Sequence, residues 1–295
     1  MRRALGAGAM LAGALAGAAV TATLRGRRRW SRESERAVER LRRETTRAAE
    51  PATDSAPELA SPPRTFDAAE LAGLPAPAAR FFRYALTPGQ PLYRTARLEH
   101  AGEFALTPGA WRQLRSVQHV ALAPPGFVWD ATIRFAPGVV VRVRDGYSRG
   151  AASMYGALLG LVPVVDRRDT PGLAEGALLR WLGEAAAYPT ALLPSAGVRW
   201  SPLDDRSARA TFADAGLTVS MDVHFAAEGG IARIAALRQR DVNGRGVPTP
   251  FEGRWAEYRR IGGMMLPTRG EATWLLPGGP HTFWRARLVE AVYAG

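Results

Sequence analysis

The segment 146–150, GYSRG, matches the G-x-S-x-G turn that presents a nucleophilic serine in α/β-hydrolases. That turn needs a central parallel strand with crossover helices, whereas the segments before Ser148 predict short-linked antiparallel strands without a His-Gly oxyanion loop. Asp145-Gly146 itself is typical of a tight turn, and residues 151–161 can form a helix. Hydrolysis is therefore the weaker interpretation, although acids and histidines follow in hydrolase order: Asp204, Asp222, His224 and His281.

No metal site and no cofactor are predicted. The histidines lack the spacing of metal ligands, and each is expected on a strand with its ring satisfied locally. No Gly-rich loop joins a strand to a helix as phosphate-binding motifs do. The absence of cysteine excludes disulfides, thiolate nucleophiles and cysteine-ligated zinc. The four histidines are His100, His119, His224 and His281.

Tryptophans on predicted strands either fill the core or line a concave apolar cavity, because ligand pockets are rich in aromatic side chains. Asp204 and Asp205 form either a hairpin turn or a carboxylate pair for acid–base chemistry. Neighbouring strand residues point to opposite faces, which favours the turn. The tryptophans are Trp129, Trp200, Trp255, Trp274 and Trp284.

Arg180 and Glu184 lie one helical turn apart on a helix that is otherwise apolar or small, so the pair is expected to be partly buried. One interpretation is a structural ion pair that also reaches Asp145, Asp204 or Arg240. The other is that Arg180 offers its guanidinium to an anionic head group. Loss of Arg180 alone is expected to destabilise the domain more than loss of both side chains, because a stranded buried charge is costly.

The helix that carries this pair begins near Thr170, a suitable N-cap, with Pro171 at the first helical position. It ends before Tyr188-Pro189. Two short helices are expected at 66–71 and 75–85. Alternating segments predict strands near 94–105, 114–122, 127–135, 138–145, 197–203, 207–213, 216–225, 230–240, 251–259, 269–276 and 281–293.

The connections between these strands are too short for parallel neighbours, so the sheet is predicted to be antiparallel. A helix that is apolar almost all round must be buried. The sequence therefore predicts an α+β, mainly β fold, in which a large antiparallel sheet curves into an open half-barrel around a buried helix. An N-terminal transmembrane helix is expected to precede it.

Segment 180–194, RWLGEAAAYPTALLP, resembles the signature of an uncharacterised bacterial family, a domain of unknown function. Segments 126–131, 145–150, 200–205 and 266–274 resemble its other landmarks, over roughly 75–293. The resemblance implies no activity. The architecture is similar to that of periplasmic lipoprotein carriers, which are open β-barrels closed by helices. The candidate ligand-binding residues are Trp129, Asp145, Tyr147, Arg180, Trp181, Glu184, Trp200, Asp204 and Trp274.

The N-terminal segment Ala4–Leu24 contains 21 residues without a charge, about 30 Å as a helix. It is rich in Ala and Gly, so its insertion into a bilayer is expected to be marginal. A cleaved signal peptide with a site near Ala16-Gly17-Ala18 is the alternative. The arginines that follow at once favour an uncleaved anchor, with Trp30 at the interface.

Nine arginines between Arg25 and Arg43 place the C-terminal side in the cytoplasm by the positive-inside rule, with the extracytoplasmic side as the alternative. The predicted organisation is a single-pass cell-membrane anchor with basic flank (1–30), a charged helix and Pro-rich linker (31–63), and one β half-barrel domain (64–295). The charged helix is typical of a solvated face.

All 39 basic residues are arginine, and the net charge is +12. Residues 64–295 carry only +7 of this, without basic runs interleaved with aromatics, so nucleic acid is not an expected partner. The favoured function is non-catalytic binding of a hydrophobic or amphipathic, lipid-like ligand at a membrane surface. A structural or protein-interaction module of the cell envelope is the alternative, followed by a hydrolase that uses Ser148.

Overall fold

The computed structural model describes residues 2–47, 64–242 and 245–295. The helices are α1 Arg2–Arg47, α2 Ala76–Ala85 and α3 Pro171–Glu184, with short 3-10 helices at Ala68–Leu71, Ala185–Ala187, Pro189–Leu192 and Pro194–Ala196. The strands are β1 Thr95–Ala105, β2 Trp111–Ala121, β3 Gly126–Ala136, β4 Val139–Ser148, β5 Ala151–Leu158, β6 Val162–Arg168, β7 Arg199–Asp204, β8 Ser207–Asp214, β9 Leu217–Phe225, β10 Ile231–Val242, β11 Arg245–Ile261, β12 Met264–Leu276 and β13 Gly279–Ala294.

All of these strands belong to one large antiparallel sheet, as predicted. Strands β1–β6 and β7–β13 form two meanders that join where β1 pairs with β13. The outermost strands are β6 and β7, and no described pairing joins them, so the sheet is not closed into a barrel. Helix α3 connects these two edge strands in the sequence and crosses from one half of the sheet to the other.

Contacts between distant strands show that the sheet curves around α3. Tyr147 Oη on β4 donates a hydrogen bond to Asp214 Oδ2 at the end of β8 (2.6 Å). Arg167 Nε on β6 donates to Asp241 Oδ2 on β10 (3.0 Å). Because α3 contacts β3–β5 on one side and β9–β11 on the other, the concave face of the sheet surrounds it.

Helix α3 begins at Pro171 and is followed by a 3-10 turn before Tyr188-Pro189, which confirms both predicted ends. Its long apolar side chains Leu178, Trp181 and Leu182 are fully buried, so the helix forms part of the core. A Cβ atom at Gly183 would lie 2.5 Å from Ile234 Cδ1 on β10. Glycine at this position therefore allows the helix to approach the sheet closely.

The predicted helix over 151–161 and the predicted turn at Asp145-Gly146 are both wrong. Residues 151–158 form β5, and Asp145 and Gly146 lie inside β4. The chain reverses at Arg149 and Gly150, whose φ values of 49° and 78° are those of a hairpin turn. Alanine and glycine hid the alternation at the start of β5, in which Ala152 is buried while Ala151 and Ser153 are exposed.

Helix α1 packs on the opposite, convex face of the sheet, against β2 and β3. Trp30, predicted to be an interfacial anchor, is instead buried there and stacks on Tyr155. Leu41 packs against Ala121 and Val128, so one side of the charged helix is buried against the sheet.

A single helix, α1, runs through both the predicted anchor and the charged segment after it. Among the described residues, no helix has the length and hydropathy needed to cross a membrane. The predicted Pro-rich linker, residues 51–63, lies outside the described residues.

Candidate ligand-binding site on the concave face

Arg180 projects from α3 into the concave face and binds two carboxylates. Its Nε donates to Glu184 Oε1 (2.7 Å), and its Nη1 donates to Asp145 Oδ2 on β4 (3.0 Å). The predicted ion pair and its predicted reach to Asp145 are thus confirmed. The Arg180 side chain is 16% exposed, so solvent still reaches this cluster.

Two aromatic rings of β3 support the same guanidinium. The Arg180 Cζ atom lies 4.9 Å from the ring centre of Phe127 and 4.8 Å from that of Trp129. Both rings point inward because residues 127 and 129 alternate with Val128, which faces α1. These contacts favour the charged form of Arg180 through cation–π attraction.

The carboxylates differ in how well they are satisfied. Glu184 Oε2 accepts a second hydrogen bond from Gln118 Nε2 on β2 (2.6 Å). Asp145 Oδ1 is buried without a hydrogen-bond partner among the described residues. Burial raises the pKa of Asp145, and the charges of Arg180 and Arg238 only partly oppose this. For Arg180, burial is outweighed by Glu184 and Asp145, so its pKa is raised.

His100 lies beside this cluster, behind Glu184. Burial lowers the pKa of its imidazole to about 4, and Glu184 opposes the shift only partly. Its Nδ1 and the Nε1 of Trp255 are buried without hydrogen-bond partners among the described residues. Both residues line a cavity of about 20 Å³ together with Trp129, Arg180 and Glu184. Such a cavity holds about one water molecule, so the interior here is filled rather than hollow.

Arg238 on β10 is the second cation of the concave face. Its Nε donates to the carbonyl oxygen of Gly176 on α3 (3.1 Å), and it forms no ion pair within the described residues. Burial, together with repulsion by Arg180, lowers its pKa to about 10, so it remains charged at neutral pH. Its Cζ atom lies 5.1 Å from the ring centre of Phe251 and 5.6 Å from that of Trp274.

The rings beside Arg238 belong to an aromatic cluster formed by side chains of β1, β11, β12 and β13. Trp274 stacks on Phe283 at 5.6 Å, and Phe251 contacts both rings. Phe104 on β1 meets Phe283 edge to face at 6.0 Å. Phe104, Trp274 and Phe283 are only half-buried, so this cluster combines apolar surface, solvent access and a neighbouring cation.

The structure brings four of the predicted site residues together: Trp129, Asp145, Arg180 and Glu184. A fifth, Trp274, contacts Arg238, whose pKa responds to the charges of this group. The site residues that sequence reasoning missed are Gln118, Phe127, Arg238, Phe251 and Phe283. Arg238 carried a weak signal, since it occupies an inward position in the alternation of Ile234, Ala236 and Arg238.

Four predicted site residues lie elsewhere. Trp181 is fully buried in the core, and its Nε1 donates to the carbonyl oxygen of Ala121 (2.9 Å). Trp200 Nε1 donates to the carbonyl oxygen of Leu192 (3.0 Å). Tyr147 is buried in its contact with Asp214. These positions are structural because each polar atom already has a partner within the fold.

Asp204, the fourth, is exposed at the end of β7, just before the turn to β8. Its two oxygens accept hydrogen bonds from the Arg206 backbone N–H (2.8 Å) and the Ser207 hydroxyl (2.7 Å). This is the predicted hairpin turn. Because the carboxylate organises its own backbone, it is not aimed at a ligand.

Ser148 lies at the end of β4, in an antiparallel hairpin with β5. Its hydroxyl donates to the Glu44 carboxylate on α1. The strand–turn–helix geometry of a hydrolase elbow is therefore not found at this motif. No cluster of potential metal ligands occurs among the described residues.

A much larger groove lies on the convex face, between α1 and strands β1–β3. It measures about 1070 Å³. Side chains of both signs line it, among them Arg36, Arg115, Glu39, Glu99 and His119. It is broad and open, whereas a ligand pocket concentrates apolar surface around few polar groups. The composition of such a pocket is found instead at the half-buried aromatic cluster beside Arg238.

A family model, described as a family of unknown function (DUF6544), matches residues 64–286. The chain belongs to this family. The match covers the whole sheet except the second half of β13, and it begins just before the short helices that precede β1. No curated protein matches the sequence significantly.

Two solved structures are similar to this family member. A LolA superfamily protein from Nitrosomonas europaea is 14% identical, with a TM-score of 0.38, and the alignment covers 75% of this chain and 93% of that one. A beta-barrel-like protein of domain of unknown function DUF1849 from Brucella abortus is 8% identical, with a TM-score of 0.29, covering 69% and 99%.

Proposed function

We propose that this protein binds, without catalysis, an amphipathic ligand that carries an anionic group, on the concave face of its sheet at a membrane surface. The observation that carries the proposal is Arg238, a half-buried cation without an ionic partner in the described part of the chain. Burial of an unpaired charge is costly, and a ligand anion would offset that cost. Arg180 differs in that Glu184 and Asp145 already neutralise it.

The half-buried aromatic cluster supplies the apolar part of such a site. Phe104, Trp274 and Phe283 present ring surface next to Arg238. Aromatic walls with one convergent charged group are the usual composition of small-molecule sites. The apolar part of the ligand would therefore lie on these rings, while its anionic end faces the guanidinium.

The small interior cavity limits where the ligand lies. At about 20 Å³, the space beside His100 and Glu184 is too small for an acyl chain. The apolar chain is accordingly placed at the open aromatic end of the sheet rather than behind α3. The same filled interior favours the alternative, a structural or protein-interaction module without a small ligand.

Membrane placement is supported by the sequence before the sheet. The uncharged stretch Ala4–Leu24 and the arginines that follow it combine apolar surface with cationic charge. The arginine excess favours the cytoplasmic side for residues 64–295. This side is tested by fusing to the C-terminus a reporter enzyme that is active only in the periplasm. Activity of the reporter would contradict the cytoplasmic placement of residues 64–295.

The ligand proposal is tested with a fluorescent fatty acid and its methyl ester, titrated into the full-length protein in detergent. The acid is expected to bind more tightly, by about tenfold for a contribution of about 1.4 kcal/mol. Arg238→Met should remove this difference, whereas Arg259→Met, at an exposed position of β11, should preserve it. Equal binding of acid and ester, or no binding, would overturn the proposal. The alternative, a structural or protein-interaction module without a small ligand, would then be favoured.

A further inference from the structure

Exposed apolar side chains concentrate at one end of strands β3–β6. Val162 and Val164 on edge strand β6 are 59% and 58% exposed. Leu161 in the β5–β6 turn is also exposed, as are Phe135 and Val139 beside the β3–β4 turn. The turns at the opposite end of the same strands, 122–125 and 149–150, expose no large apolar side chain.

These two hairpin tips form one continuous surface. The Leu159 backbone N–H donates to the carbonyl oxygen of Val140 (2.8 Å), which ties the β5–β6 turn to the β3–β4 hairpin. Arg112 at the start of β2 lies over the ring of Phe135 (5.8 Å). The surface is therefore an apolar patch with a basic margin, named here the apolar rim: Phe135, Val139, Leu161, Val162 and Val164.

Helix α1 passes this rim at Gly26. A Cβ atom at Gly26 would lie 2.5 Å from Leu161 Cγ and 2.8 Å from the carbonyl oxygen of Leu159. Glycine thus allows the helix to lie directly against the β5–β6 turn. Leu24, just before this crossing, is exposed.

The direction of α1 shows on which side its N-terminal part emerges. Towards its C-terminus, Leu41 packs against Ala121 and Glu44 binds Ser148, both at the end of the strands away from the rim. Residues before Gly26 therefore continue past the rim end. That continuation is the stretch Ala4–Leu24, which holds no charged residue.

The charged residues of α1 that lie beside the rim are all basic. Arg25, Arg27 and Arg28 are exposed beside the crossing, and the first acidic residue of the whole chain is Glu33. Exposed apolar side chains next to a polybasic segment are the combination that binds an anionic lipid surface. A single weakly apolar segment anchors marginally, and a second contact makes such anchoring stable.

We infer that the apolar rim is a membrane-docking surface that inserts into an anionic bilayer beside the stretch Ala4–Leu24. The inference rests on the membrane placement proposed above and goes further, because it fixes which end of the sheet faces the lipid. The aromatic cluster lies near the β1–β2 and β12–β13 turns. These turns are at the strand ends that pair, along the sheet, with the end of β3 at the rim.

The absence of cysteine makes site-directed spin labelling straightforward. Val162→Cys places a nitroxide in the rim, and Leu203→Cys places a matched one at an exposed apolar position on β7, close to the β7–β8 turn. The full-length proteins are reconstituted into vesicles of phosphatidylcholine with phosphatidylglycerol. On transfer from buffer with detergent to vesicles, label 162 should gain accessibility to oxygen and lose accessibility to a nickel chelate, whereas label 203 should remain accessible to nickel.

Equal nickel accessibility of the two labels in protein that floats with the vesicles would overturn the docking surface but leave membrane placement intact. Failure of the protein to float would overturn both, while the fatty-acid titration in detergent would still report on the ligand site. Strong dipolar broadening between labels at 162 would show that a second copy of the chain covers the rim, which also overturns the inference.

Discussion

The two faces of the sheet are covered by helices that pack in different ways. On the concave face, α3 buries Leu178, Trp181 and Leu182 and leaves a cavity of only about 20 Å³. On the convex face, α1 contacts the sheet through Trp30 and Leu41 and leaves a groove of about 1070 Å³ beside it. The concave helix is therefore part of the core, whereas the convex helix is attached to a sheet that is already complete.

The polar contacts of the two faces differ in the same way: those on the concave face lie within the core, and those on the convex face hold α1 against the sheet. Arg180 on the concave face holds Asp145 and Glu184 in a partly buried cluster. On the convex face, Asp130 accepts hydrogen bonds from Trp30 Nε1 (2.8 Å) and from the Ser34 hydroxyl, and burial raises its pKa. Removal of the first cluster leaves charges stranded inside the core. Removal of the second is expected to let α1 detach and to expose Asp130 to water.

The largest effect is expected from Arg180→Ala, which strands two partly buried carboxylates. A stranded buried charge typically costs about 3–5 kcal/mol, so the free energy of unfolding should fall by an amount in that range. The double variant Arg180→Ala/Glu184→Ala should lose less, because only Asp145 then remains unpaired. Urea unfolding of full-length protein measures both, and Arg209→Ala, in an exposed pair with Asp222, serves as the control with a loss under about 1 kcal/mol. Additive losses at Arg180 and Glu184 would show that the two side chains are not coupled.

A smaller effect is expected from acid, through His100 on the concave face. Its folded-state pKa of about 4 lies below the usual 6.5, so the unfolded chain binds more protons between these values. Stability is therefore lost as the pH falls through this window, by about 2 kcal/mol at pH 5 for this one group.

Unfolding free energies at pH 7 and pH 5 measure this loss. His100→Gln should remove about that part of the pH dependence. The raised pKa of Asp145 acts in the opposite direction, because the folded state takes up that proton more readily, and it is common to both proteins. An unchanged pH dependence in the variant would show that His100 is protonated equally in both states.

The smallest effect on the sheet is expected from Trp30→Ala on the convex face. Deletion of a buried tryptophan in a core costs about 3–5 kcal/mol, but a detachable helix limits the loss to the free energy of its docking. Hydrogen exchange should become at least about tenfold faster in residues 30–45, while the midpoint of thermal unfolding of residues 64–295 shifts by less than about 4 °C. Equal loss of protection in α1 and in β10 would show that the convex helix is integral to the core.

Much of the fold could be predicted because local patterns carried it. Strand alternation, the Thr170-Pro171 start and the Tyr188-Pro189 stop all depend on neighbours within a few residues. The ion cluster was predictable in part, since Arg180 and Glu184 are one turn apart on an apolar helix. Strand β5 was missed because alanine, serine and glycine show little contrast between its two faces.

Arg238 was missed as a site residue for a different reason, although its inward position in β10 gave a weak local signal. Its position under α3 depends on the curvature of the sheet, which brings β10 opposite β4. Nothing local to 231–242 reports that curvature. The packing of α1 on the convex face was missed for the same reason, because the partners of Trp30 and Leu41 lie about a hundred residues away.

A half-barrel that does not close keeps two exposed edges, and an exposed edge is a template on which another chain can add a strand. Each edge strand here contains a proline, Pro163 in β6 and Pro202 in β7, and each has an irregular register with its inner neighbour. A proline removes a hydrogen-bond donor, and an irregularity twists the strand away from a flat partner. Both open edges of the sheet are thus formed by strands that resist the addition of a further strand.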